Sequence, residues 1–143
     1  MTDIKKIVGA AIVDSLSKPT QLLIARRTQP SQFVGMYEFP GGKVEQGETC
    51  EAGLHREIQE ELGVEIRLGT EIVGPGKYGW PLNAEAQMRV WLAEVTHGVP
   101  EPLEDHDELR WVGIDDVTIV GLPWIPADLP IVQAIQDTIA ARK

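Results

Sequence analysis

The chain is poor in cysteine, in aromatic side chains and in positive charge. Cys50 is the single cysteine among 143 residues, so a disulfide framework and an all-cysteine zinc site are excluded within one chain. Cys50 itself reads as a quiet residue at a helix start. Only 13 lysines and arginines stand against 22 acids, a formal charge of −9. That balance argues against a nucleic-acid polymer as partner, because such binding uses a basic face. A single nucleotide stays compatible, since divalent cations can carry its charge. No apolar run approaches the roughly 20 residues that span a membrane. The opening Met1-Thr-Asp-Ile-Lys-Lys leads into a strand-like segment instead of a cleavable apolar one. The expected compartment is the cytoplasm, and no membrane partner is expected.

What is present is ordinary for a globular chain: 43% hydrophobic and 24% charged residues allow a normal core. With no repeat, low-complexity stretch or linker, residues 1–143 are expected to form a single domain. Residues 4–13 are rich in β-branched residues and predict a first strand, and 21–27 a second, hairpin-paired with it. Arg26 and Arg27 end that second strand and face opposite sides. Residues 64–73, 85–95 and 109–112 predict further strands. In 85–95, Ala86, Met88, Val90 and Leu92 fall on one side and Gln87, Arg89 and Trp91 on the other. Helices are predicted at about 50–62, with Leu54, Ile58 and Leu62 as its stripe, and at 131–141, with Ile131, Ile135 and Ile139. Thr49 is the expected N-cap of the first and Gly63 its stop. Asp115 and Asp116 are expected to cap a short helical turn. Two helices among many strands predict an α+β fold, a mixed and mostly antiparallel sheet sandwiched between helices.

The chemistry concentrates in the first helix and the turn before it. At 3.6 residues per turn, Glu57, Glu60 and Glu61 share an arc of about 100° beside the apolar stripe. Like charges at neighbouring helical positions repel, so the crowding calls for a cation. Oxygen ligands alone suit Mg²⁺, or Mn²⁺, rather than zinc. Acids on a helix also make ordinary solvated faces. Here, however, Gly41 and Gly42 precede them, and backbone without side chains can approach a phosphate or a metal.

Together these residues resemble the Nudix box of the Nudix hydrolase family. Five residues separate Gly42 from Glu48, and seven more precede Arg56. Arg56-Glu57-Ile58 then leads through Glu60 and Glu61 to Gly63-Val64, and every fixed position is filled. The run Tyr37-Glu-Phe-Pro-Gly-Gly-Lys-Val-Glu, the preceding Ala25-Arg-Arg and the later Pro126-Ala-Asp-Leu-Pro are similar to MutT-type nucleotide pyrophosphohydrolases, CTP pyrophosphohydrolases among them.

The resemblance implies Mg²⁺-dependent hydrolysis of nucleoside triphosphates to monophosphate and pyrophosphate, by attack of water at the β-phosphorus. The implied substrates are 8-oxo-dGTP, or CTP, dCTP and 5-methyl-dCTP. It places the metal on Glu57, Glu60, Glu61 and the Gly41 carbonyl, with Glu57 favoured as general base. Asp105 is a second candidate, in a loop that reads equally as a solvated acidic stretch. Gly42, Glu48, Arg56 and Gly63 are implied as the scaffold of the box. Arg27 and Lys43 are candidates for phosphate or base, and Glu38 lies in the same similar segment. Phe39 and Tyr78 are candidates for stacking on the base, with packing an equal alternative. Asp128 falls at the implied base pocket; as an ionised carboxylate it would only accept hydrogen bonds. It also reads as the N-cap of the final helix. Competing readings are a Nudix hydrolase of dinucleoside polyphosphates or nucleotide sugars, and a non-catalytic nucleotide-binding module. Both a monomer and a homodimer are compatible with the sequence.

Overall fold

Two sheets and two helices organise residues 4–115 and 117–142, the residues described by the computed structural model. In chain order the elements are β1 (Lys5–Ile12), β2 (Gln21–Arg27), β3 (Tyr37–Glu38), β4 (Gly41–Lys43), α1 (Cys50–Leu62) and β5 (Glu65–Ile72). They continue with β6 (Trp80–Pro81), β7 (Ala86–His97), β8 (His106–Gly113) and α2 (Leu129–Ala140). The larger sheet runs β4-β1-β7-β5, with β6 added to β7. Its β1–β7 pairing is parallel and its other pairings antiparallel. The smaller sheet, β3-β2-β8, is antiparallel throughout.

The expected β1–β2 hairpin does not form. Asp14 instead accepts the backbone N–H groups of Thr20 at 2.8 Å and Gln21 at 3.0 Å, and only an isolated bridge joins Val13 to Leu22. The reason lies in burial. Val8–Ile12 of β1 and Leu22–Ala25 of β2 are covered on both faces, so each strand sits inside a sheet with a neighbour on both edges. β4 and β7 flank β1, while β3 and β8 flank β2.

The helices cover opposite sides of the larger sheet. Leu54, Ile58 and Leu62 of α1 pack with Val8, Ala10, Ile12, Trp91 and Ala93. Ile131, Ile135 and Ile139 of α2 join Met88, Val90 and Leu92 on the other side. The alternation of β7 thus feeds two cores at once. Thr49 caps α1 by accepting the Ala52 N–H at 3.1 Å, and Gly63 ends it at φ 70°. These two residues fix where along the sheet the acidic side of α1 begins and ends.

The start of β8 and the cap of α2 differ from expectation, while the short helical turn before Gly121 forms where it is expected. β8 starts at His106, earlier than predicted, which brings that imidazole into the strand. The helical turn after Asp115 spans Val117–Gly121, and Asp116 lies outside the described residues. Asp128 precedes α2 but makes no side-chain cap bond. Pro130 lacks an N–H, which removes one of the donors a cap would use, and Asp128 instead accepts the buried Phe39 N–H at 3.2 Å.

Since Ile58 is fully buried between α1 and the sheet, Ile58→Ala should lower unfolding free energy by about 2–5 kcal/mol in denaturant titrations. A loss below about 1 kcal/mol would show that α1 is not anchored through this stripe.

Candidate active site

β4 and α1 meet at the glycine turn. A Cβ on Gly42 would lie 2.4 Å from the Glu57 carboxyl, so only glycine lets that carboxylate rest against the strand. Arg56 is the cation of this corner. Its Nε donates to Glu48 Oε2 at 2.8 Å and its terminal nitrogens donate to Glu48 Oε1 at 3.0 Å, Glu57 Oε1 at 2.9 Å and the Lys43 carbonyl at 3.0 Å. Glu60 lies 3.4 Å from the same guanidinium. The bond from Arg56 holds the Glu48 carboxyl down at about 2, and Glu48 in turn raises Arg56. One guanidinium therefore ties the turn to the helix and partly offsets the repulsion among the acids.

It does not offset all of it. Burial, and then the charges of Glu60 and Glu104, push Glu57 above the usual carboxylate range despite Arg56. Glu61 is only 8% exposed. Burial first, then the Glu38 and Glu57 charges, push it up to about 9, against the opposing bond from the Gly41 backbone. Its Oε2 is buried without a hydrogen-bond partner. Among the described residues no three His, Cys, Asp or Glu side chains form a ready metal cage. The donor set nonetheless fits a hard divalent cation: oxygen ligands only, excess negative charge, and one buried carboxylate oxygen lacking a partner.

Beside this corner opens a cleft of about 430 Å³. It brings together Arg27, Glu38, Phe39, Gly41, Gly42, Lys43 and Asp128. Phe39 is nearly buried and packs on Trp124, ring centroids 5.4 Å apart, so it forms floor rather than a free stacking plate. Arg27 is already engaged, donating to Glu38 Oε2 at 2.8 Å and to the Gln29 carbonyl at 2.6 Å. Asp128 is 4% exposed. Burial and the Glu38 charge push its carboxyl up to about 7. Ile7, Phe33, Leu82, Asn83, Met88 and Ile125 also line the cleft. Of these, Met88 carried a signal in the β7 alternation, whereas Leu82 and Asn83 arrive through an irregular turn that no periodicity marks.

Two expected site residues are engaged in other contacts. The Tyr78 hydroxyl donates to the Ile7 carbonyl at 3.2 Å and lies 3.3 Å from Cys50 Sγ. Gln87 Oε1 accepts the Tyr78 and Gly79 N–H groups, both at 3.0 Å, and Gln87 shares the side of β7 that carries Trp91. The bend therefore folds toward α1, and Tyr78 is not among the residues of the cleft. Asp105 adopts φ 55°, and its carboxylate is bonded to the Gln29 side chain. In that loop it is the charge of Glu104 that bears on Glu57.

A model of the NUDIX domain matches residues 5–134. The CTP pyrophosphohydrolase of Escherichia coli K12 is 32% identical over 135 residues, covering 94% of this chain and 94% of that protein. The 8-oxo-dGTP diphosphatase of Proteus vulgaris is 42% identical over 67 residues, or 46% of this chain and 58% of that one. The solution structure of the Escherichia coli ORF135 protein matches with a TM-score of 0.77 at 28% identity, covering 99% of this chain and 94% of the other. With the match running from β1 into α2 and the glycine turn, Arg56 and the α1 acids arranged as described, the chain belongs to the Nudix family of hydrolases.

Proposed function

We propose that the chain is a nucleoside-triphosphate pyrophosphohydrolase of the MutT type, acting in the cytoplasm on 8-oxo-dGTP or on cytidine triphosphates and releasing monophosphate and pyrophosphate. The observation that carries this reading is the position of Glu57, Glu60 and Glu61 beside a cleft that also holds a buried carboxyl, Asp128. Phosphate chemistry and base recognition then have separate places within one molecule. The names of the relatives support the two substrate classes. Among the described residues no helix is long and apolar enough to cross a membrane.

In this reading Glu57, Glu60, Glu61 and the Gly41 carbonyl hold Mg²⁺, with Mn²⁺ as a substitute. The ion, when bound, neutralises the triphosphate and the departing pyrophosphate. Glu57, whose carboxyl rests against the glycine turn at Gly42, is the group that would take the proton from the attacking water. Glu48 and Arg56 hold the turn so that Glu57 keeps its place against Gly42. Lys43, exposed at the end of β4, meets phosphate. Arg27 orients Glu38 through one terminal nitrogen while its Nε donates to the Gln29 carbonyl, and its other N–H donors can meet phosphate. Asp105, tied to Gln29, is not given the role of base.

Asp128 acquires a second capability. An ionised aspartate only accepts hydrogen bonds, but a carboxyl titrating near 7 is protonated in part of the population at neutral pH and then also donates. It can therefore meet an exocyclic amine or a ring carbonyl of the base.

Purified protein with Mg²⁺ is expected to release pyrophosphate, not phosphate, from at least one of dCTP, CTP, 5-methyl-dCTP, dGTP and 8-oxo-dGTP. Turnover of none of them contradicts the reading. Glu57→Gln should lower kcat by about 10²–10⁴-fold while leaving the melting curve cooperative; near-original turnover would remove Glu57 from the chemistry.

The raised Asp128 pKa also sets a pH dependence of stability. The carboxyl is held near 7 when folded against an ordinary 3.8, so the folded state favours the proton. The wild type is then most stable, with respect to this group, below about pH 4, and loses that stability as pH rises to about 7. Asp128→Asn removes the ionisation. Its stability relative to wild type should therefore be greater at pH 8 than at pH 5 in denaturant titrations. A difference that does not change with pH would show that Asp128 does not titrate in this range.

A further inference from the structure

The segment between β5 and β7 hooks over the larger sheet from one face to the other. On the α1 side its 76–79 turn is closed by the Gly76 N–H, which donates to the Gly79 carbonyl at 3.0 Å. The turn wraps the half-buried Gln87 side chain, whose Oε1 accepts the Tyr78 and Gly79 N–H groups at 3.0 Å each. The fit is close: a Cβ on Gly76 would collide with Gln87 Oε1 and with the Gly79 carbonyl. β6 then pairs with β7, Trp80 opposite Met88 and Pro81 opposite Gln87. The Leu82 N–H donates to the Ala86 carbonyl at 3.0 Å, and Leu82 and Asn83 emerge in the wall of the cleft.

Register partners on neighbouring strands project to the same face. Lys43, Ile7, Met88 and Trp80 therefore form one row across β4, β1, β7 and β6, and the first three line the cleft. Three strand spacings separate the ends of that row, roughly 14 Å. Gln87, one residue before Met88, projects to the opposite face and is not among the residues of the cleft. With glycine at 74, 76 and 79, the segment has little stiffness of its own. Tyr78 and Trp80 attach it by their side chains, through the Ile7 and Ile72 carbonyls. Gln87 fixes the backbone of the turn between them.

We infer that Gln87 is a positioning residue: from the face turned away from the cleft, it fixes the 76–79 turn and thereby sets the wall that Leu82 and Asn83 present to the nucleoside. The inference rests on the proposed function, in which the cleft takes a nucleoside triphosphate. Phosphate held at the glycine turn leaves the nucleoside to lie along the Lys43–Trp80 row, toward Met88, Leu82 and Asn83. Gln87 itself touches neither the nucleotide nor the cation corner. It acts on nucleoside binding and not on bond cleavage.

The test compares Gln87→Leu, which keeps similar bulk without an acceptor, with Gln87→Glu, which keeps acceptor oxygens for both N–H groups beside Lys6, its register partner on β1. For the triphosphate that wild type turns over best, kcat and KM are measured beside Mn²⁺ affinity and thermal melting. Gln87→Leu is expected to melt cooperatively and to raise KM about tenfold or more, because two N–H groups of the turn lose their acceptor. Its kcat and Mn²⁺ affinity should stay within about twofold of wild type, the signature of lost binding rather than lost chemistry. Gln87→Glu is expected to recover most of the KM. A folded Leu variant with KM within about twofold of wild type overturns the inference. So does one whose kcat or Mn²⁺ affinity falls as far as its KM rises, and so does a folded Glu variant that recovers nothing. Should the Leu variant fail to fold, NMR of wild type decides. The Tyr78 and Gly79 amides should exchange slowly, and the monophosphate product should shift the Leu82 and Asn83 resonances; absence of either result overturns the inference. Wild-type turnover with an unaffected Leu variant sinks only the role of Gln87. Wild-type protein that turns over none of the triphosphates sinks the proposed function with it.

Discussion

Arg56 holds together a corner that electrostatics would otherwise open. Glu48, Glu57 and Glu60 all lie within 3.4 Å of its guanidinium, and the same group grips the Lys43 carbonyl. The turn after β4 and the first half of α1 are therefore one unit, joined by charge-assisted bonds rather than by packing alone. Everything else in the site is placed relative to that unit. Gly42 gives the Glu57 carboxylate room, and the apolar stripe of α1 presses the acids against the larger sheet.

The compensation is partial, and its incompleteness has chemical consequences. Glu61 lies too deep for solvent to stabilise its charge, and holds its proton far above the usual range. Glu57 is raised too, by burial and by its acidic neighbours. A divalent cation would relieve both at once, which is why a fold can tolerate such crowding. Stability in the cation-free protein and affinity for the cation are opposite faces of the same repulsion. The buried Asp128 repeats the pattern within the cleft, where burial and the Glu38 charge raise its carboxyl as well.

Much of this was legible in the residues themselves. The spacing of Leu54, Ile58 and Leu62 located α1, Thr49 and Gly63 bounded it, and the alternation of β7 announced two differently occupied faces. The box residues are close in sequence, so the chain alone brings Gly42, Glu48, Arg56 and Glu57 together. What stayed hidden depends on long-range placement. The β1–β2 hairpin looked natural locally, but both strands are buried on both faces and sit in different sheets. Tyr78 belongs to an irregular bend whose direction is set by Gln87, and Asp105 is held by Gln29, far away in sequence. His106 gave no local signal because its neighbours, Glu38 and Glu61, come from different elements.

The central claim is that the α1 acids are held at a cost that a bound cation removes. Thermal unfolding of wild type and Glu57→Gln in rising Mg²⁺, at constant ionic strength and without nucleotide, tests it directly. The account predicts that the wild-type midpoint climbs with Mg²⁺ as ligand linkage requires, and that the climb is largely lost in Glu57→Gln. A wild-type midpoint that stays flat, or one that rises equally in both proteins, would contradict it.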